Sequence, residues 1–207
     1  VWPAPPSFTC KRGGWFLAFK ALKNLIAAHR EAYDVIKGLT AEAEIGIATN
    51  LVAASPIKKF FINRPNFYTL SKIQNHLDFI GLNYYLRVPA RRGAKVSDMG
   101  WEIYPEGIYQ TIRSLKKFNL PIYITENGVA DASDRNRPDY IRDHVSWMKR
   151  AIEGGADVRG YFYWSLLDNF EWHHGFKPRF GLVEINYETM ERKIRPSAYE
   201  YAKMIKG

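Results

Sequence analysis

The feature that most constrains this chain is a repeated alternation of short apolar runs with longer amphipathic ones. Glu44–Asn50, Leu77–Tyr85, Pro121–Glu126 and Val158–Ser165 are nearly continuous apolar runs of strand length, as strands buried on both faces are. Phe16, Phe19, Leu22, Ile26, Tyr33 and Ile36 recur at helical spacing and predict a helix over 15–37, with Gly38 at its C-cap. Residues 105–118 read as a helix with Pro105 in its first turn, and Pro138–Glu153 as another, capped by Gly154-Gly155. Pro196–Ile205 reads as a closing helix and 180–194 as a hairpin. Residues 51–75 are ambiguous, because Pro56 and Pro65 argue against a long helix there. Residues 1–14 and 86–98 read as loops. Strands that alternate with helices imply an α/β fold with parallel strands joined by right-handed crossovers.

Four such strands fit in the 207 residues, whereas a closed eight-stranded barrel takes about 250. The other half lies elsewhere, or two copies pair, or the chain forms an open half-barrel. Periodicity does not separate a barrel from an open doubly wound sheet. No glycine-rich phosphate loop follows any strand, which weighs against nucleotide binding. The chain reads as one domain over 1–207, and its start, without Met, reads as mid-protein loop.

Charge and cysteine content narrow the partners. The net charge is +9, yet the basic residues fall in scattered pairs such as Lys58-Lys59, Arg91-Arg92 and Lys116-Lys117. That is a solvated surface, so no nucleic-acid partner is expected. One cysteine, Cys10, excludes an intramolecular disulfide and a cysteine-built metal site, and favours a reducing, cytoplasmic setting. No apolar run is long enough for a bilayer and no signal peptide is visible, so no membrane association is expected.

Parallel α/β folds gather their functional groups where the strands end. Here the strand ends carry Asn83-Tyr84-Tyr85, then Thr125-Glu126-Asn127-Gly128, then Trp164-Ser165 running on to Asp168-Asn169-Phe170-Glu171-Trp172. Hydroxyls need polar partners and sugar CH faces pack on rings, so this mixture suits a polyhydroxyl ligand. Glu126 is the sharpest single residue; the plainer reading makes it one half of a strand-end salt bridge. Tyr85, Phe180 and Trp101 could be packing. Glu102 and Glu106 read as carboxylates at a helix start, where the dipole favours them. Asp168 and Asn169 read as residues that order their loop, and His173-His174 as loop residues poorly placed to share a metal.

Taken together, these segments resemble glycoside hydrolase family 1, the β-glucosidase and β-galactosidase family, in its archaeal-type members. Thr125-Glu126-Asn127-Gly128 is similar to the nucleophile motif. Phe79–Tyr85 resembles the sixth barrel strand, and Asp98–Gly107 the segment entering the next helix. Trp164–Trp172 with Arg179–Val183 resembles the eighth strand and its loop. Ala28-His29 with Ala32-Tyr33, Arg135–Pro138 and Asp157–Gly160 fit as well.

The resemblance implies a (β/α)₈ TIM-barrel type, with about the last four βα units present. It implies a retaining β-glycosidase acting on terminal β-D-glucosides or galactosides, with a β-linked saccharide as partner and no cofactor or metal. Glu126 would be the nucleophile and Tyr85 its orienting donor. Asn83, Trp164, Glu171, Trp172 and Phe180 would bind the glycone, and Trp101 would lie on the aglycone side. The family's acid/base glutamate, in an Asn-Glu-Pro motif, has no counterpart here, nor has its glycone-binding Gln or the preceding His-Asn pair. Regions 51–75 and 86–98 look shortened. The expected complement is therefore a missing N-terminal half-barrel or a second copy. The alternatives are a half-barrel that holds saccharide without cleaving it, and a structural remnant.

Overall fold

The computed structural model describes residues 14–206; Cys10 and all but the last residue of the expected opening loop lie outside them. Its order is α1 (Trp15–Leu39), β1 (Gly46–Asn50), α2 (Pro56–Ile73), β2 (Phe79–Asn83), α3 (Glu106–Leu115), β3 (Ile122–Asn127), α4 (Arg137–Glu153), β4 (Val158–Tyr163), β5 (Val183–Ile185), β6 (Arg192–Ile194) and α5 (Pro196–Lys206). The first four strands form one parallel sheet in the order β1-β2-β3-β4, and β5 and β6 form a separate antiparallel pair. Successive βα units thus lie side by side, as in one half of a barrel. Among the described residues no further strand pairs with the outer edges of β1 and β4.

Strand alternation divides the sheet's two faces. Ile80, Leu82, Ile122 and Ile124 are fully buried in one cluster with Leu70 and Ile73 of α2 and Ile108, Ile112 and Leu115 of α3. Each such side chain contributes about 1.5–3 kcal/mol by leaving water. On the other face Phe79 meets Tyr123 edge-on at 5.1 Å between centroids. Glycine makes room for these rings, since a Cβ on Gly46 would fall 2.4 Å from the Phe79 ring and one on Gly160 2.8 Å from Tyr123. Phe162 on β4 is 57% exposed, so this concave face is only partly covered. Among the described residues no helix is long and apolar enough to cross a membrane.

Three local expectations need correction. Residues 56–73 form one helix despite Pro65 in its interior. An interior proline costs about 3 kcal/mol. Burial of Leu70 and Ile73 offsets it, as does buried Asn63, whose side chain accepts from the Val52 N–H and donates to the Val52 carbonyl. Gly38 lies inside the last turn of α1, and Thr40 caps it by donating its N–H to the Ile36 carbonyl. α1 packs Leu22 and Ile26 on the core and leaves Phe16 and Phe19 exposed. Glu102 does not start a helix: it precedes α3, is fully buried, and accepts from the Arg91 backbone and guanidinium at 2.8 and 2.7 Å. The hairpin over 180–194 forms, its paired strands shorter than that span.

Candidate active site

The C-terminal ends of β2 and β3 bring the expected nucleophile and its donor together. Asn83 stands opposite Glu126 in the ladder, and Tyr85 follows two residues beyond Asn83. The Tyr85 hydroxyl donates to Glu126 Oε2 at 2.5 Å, the length of a hydrogen bond to a charged acceptor. Burial first, then the Glu126 carboxylate, pushes the Tyr85 phenol far above its usual range, so it stays a donor. Asn83 Oδ1 accepts from the Thr125 hydroxyl at 2.6 Å, which directs its amide N–H groups elsewhere.

Two further rings stand around this pair. Tyr85 lies 5.9 Å from Trp101 and 6.2 Å from Phe180, both edge-on, and Trp101 lies 6.3 Å from Phe180. Trp101 is held by a loop pinned at buried Glu102 and by its own N–H on Ser97 Oγ. Phe180 is buried and precedes Gly181, whose N–H donates to Asp168 Oδ1 at 2.9 Å. Asp168 also pairs with Arg195 and Arg179 at 3.0 and 3.3 Å. Asp168 therefore orders the loop, as its sequence position suggests, and Asn169 does the same by donating to Ser165 Oγ and the Leu167 carbonyl.

The arm beyond β4 is less enclosed. Trp164 is half-buried, and its N–H donates to the Asn127 carbonyl at 3.0 Å. Glu171 lies close enough to Glu126 to sense its charge: burial, then Glu126, raises the Glu171 carboxyl above its ordinary value, and His173 opposes the rise. Trp172 is 75% exposed and is not drawn into the ring cluster. Among the described residues no group of His, Cys, Asp and Glu is arranged to hold a metal ion.

Sequence reasoning missed the supports of this site. Asn127 is fully buried and donates to the Tyr84 carbonyl and the Tyr140 phenol. It also accepts from the Tyr161 hydroxyl. Arg137, equally buried, donates to Asp134, to the Tyr163 phenol and to the carbonyls of Asp131 and Arg179. Its motif position was visible in the sequence; its partners were not.

Comparison with known proteins places the chain in a family. The sequence profile of glycosyl hydrolase family 1 matches residues 89–207. A β-galactosidase of Saccharolobus solfataricus is 35% identical over 233 residues, covering 89% of this chain and 47% of that protein. β-Glucosidase A of Thermotoga maritima is 34% identical, covering 93% of this chain and 57% of that protein. The crystal structure of a β-glucosidase from Pyrococcus furiosus superposes with a TM-score of 0.86 at 37% identity, over 92% of this chain and 47% of that one. The chain spans about half the length of the curated relatives it matches. The first alignment is longer than this whole chain, so the relative carries residues between the shared elements that this chain lacks. A profile match over more than half of the residues, with these structural likenesses, makes the chain a member of glycosyl hydrolase family 1.

Proposed function

We propose that this chain supplies the nucleophile half of a retaining β-glycosidase acting on terminal β-D-glucosides or galactosides. The observation that carries the reading is the Tyr85–Glu126 hydrogen bond of 2.5 Å at the mouth of the parallel sheet. A carboxylate held by a charge-assisted bond has a fixed direction. Glu126 Oε attacks the anomeric carbon, and the bond from that carbon to the leaving oxygen breaks. The leaving oxygen takes the electron pair and a proton from a second carboxyl group, which in retaining enzymes lies about 5–5.5 Å from the nucleophile. Water then releases the sugar from Glu126.

The Asn-Glu-Pro acid/base is absent from the sequence, so this second group comes from a complementing N-terminal half; a second copy, lacking it too, would serve only the reading without turnover. Among the described residues no strand pairs with the outer edges of β1 and β4, which supports a complementing partner. Asn83 reaches the sugar's 2-hydroxyl, Glu171 and Trp172 grip the far hydroxyls, Trp164 floors the ring, Phe180 packs near the exocyclic carbon, and Trp101 faces the aglycone.

Mixing the chain with the N-terminal half of a family relative tests the reading. Hydrolysis of an aryl β-glucoside is expected from the mixture and little from the chain alone. A folded, closed barrel without hydrolysis contradicts it. The missing acid/base favours one other reading, a saccharide holder without turnover; there, calorimetry would give equal saccharide binding with Glu126 and with Glu126→Gln.

A further inference from the structure

We infer that Asn127 is a positioning residue, whose buried amide, clamped by Tyr140 and Tyr161, fixes the irregular strand end that aims Glu126. The inference rests on the reading of Glu126 as nucleophile and deepens it.

The need for a clamp comes from the ladder. On the β2 side Ile124 pairs with Leu82 and Glu126 with Asn83, so two steps on β3 meet one on β2. On the β4 side Ile124 pairs with Tyr161 and Asn127 with Tyr163, so three steps meet two. Thr125 and Glu126 therefore sit where the register breaks on both sides. Such bulges re-aim a side chain, and they also disrupt the pairing that would hold it. Beyond the ladder itself, the Tyr84 N–H donates to the Glu126 carbonyl at 2.9 Å and the Trp164 N–H to the Asn127 carbonyl at 3.0 Å.

The Asn127 side chain ties the strand end to three elements. Its Nδ2 donates to the Tyr84 carbonyl beyond β2 at 2.6 Å and to the Tyr140 phenol of α4 at 2.9 Å. Its Oδ1 accepts from the Tyr161 hydroxyl of β4 at 2.8 Å. Both amide hydrogens are thus used, and the side chain is fully buried. Burial raises both phenols above their ordinary range, so each stays protonated. Aspartate has the same shape, but as a carboxylate it lacks both N–H donors and would confront the Tyr84 carbonyl with negative charge.

The test uses two independent readouts, the first on the 207-residue chain and the second on the barrel completed by its N-terminal half. A hydrogen bond as short as Tyr85–Glu126 gives a far-downfield proton resonance, assigned by its loss in Tyr85→Phe. In Asn127→Asp, and in the Tyr140→Phe/Tyr161→Phe double variant, that resonance is expected to move upfield or vanish. The Tyr→Phe changes keep each ring and remove only hydroxyls, so they decide the matter if Asn127→Asp fails to fold.

The second readout is labelling by a dinitrophenyl 2-deoxy-2-fluoro-β-glucoside. Glu126 Oε bonds to C1 as the C1–oxygen bond breaks, and dinitrophenolate departs with the electron pair, needing no proton. Labelling is expected to slow about 10²-fold, the scale of an ångström misplacement, with the saturation constant unchanged. An unmoved resonance in the folded double variant overturns the inference, and so does its absence from the parent chain. A saturation constant that worsens while the maximal rate holds also overturns it. A resonance that responds as expected, beside a completed and folded barrel that never labels at Glu126, sinks the nucleophile reading alone.

Discussion

The strand ends of β2 and β3 and the loop beyond β4 both carry expected sugar-site residues, yet they are built differently. At the first, Glu126, Tyr85, Asn83 and Asn127 each hold a hydrogen bond to a neighbouring element. At the second, Glu171 lies near the site while Trp172 and Phe176 face outward. Adjacent strands of one parallel sheet, with Tyr140 of α4, organise the first region. The second keeps its base through Asp168 and leaves its tip open. The chain thus carries a preorganised Glu126 beside a loosely held loop that the proposed reading assigns to the sugar.

Replacing the nucleophile should separate the two regions most sharply. Glu126→Gln is expected to lower hydrolysis by the complemented barrel by on the order of 10⁴-fold or more, the scale of losing a nucleophile. Saccharide affinity should change far less, and titration calorimetry beside turnover checks both. The next largest effect belongs to the base of the loop. Asp168→Ala leaves Arg195 buried without its partner, and loss of a buried pair member costs about 3–5 kcal/mol. A lower denaturant midpoint with an unchanged slope would show it; an unmoved midpoint would mean the loop is held otherwise.

Tyr85→Phe removes one hydrogen bond to a charged group, worth about 1.5–3 kcal/mol. A drop of roughly 10- to 100-fold in maximal rate is expected, with little change in KM. Acid should strain the supports of the first region. Burial holds His144 down at about 3, against 6.5 when free. The unfolded chain then binds more protons than the folded one between those values. Stability is full above about 6.5 and falls with pH toward 3, by up to about 1.4 kcal/mol per unit from this residue. Urea titrations at several pH values should show that slope, and His144→Gln should flatten it. Smallest is Trp172→Ala, expected to change stability by less than about 0.5 kcal/mol while weakening saccharide binding.

Much of this was legible from sequence because it depends on local order. The four strands and the helix over 137–153 follow from short-range periodicity and turn residues. Glu126 stands out because a carboxylate at the tip of an apolar strand is unusual, whereas Tyr85 could equally be packing and takes its role from the family resemblance. Asn127's partners Tyr84 and Tyr140 lie 43 and 13 residues away, and Arg195 lies 27 from Asp168. Such pairs leave no periodic trace. The helix through Pro65 and the buried Glu102 were misread for a related reason. Each breaks a local rule that distant packing or a distant arginine overrides.

The account turns on which atom becomes bonded to the sugar. After a barrel completed by its N-terminal half is incubated with the activated fluoro-glucoside, mass spectrometry of the digested protein should find one fluoroglucosyl group. It should lie on the peptide containing Thr125-Glu126-Asn127 and be absent from Glu126→Gln. A label on any other residue, or none on a folded barrel that hydrolyses aryl glucosides, would contradict the account.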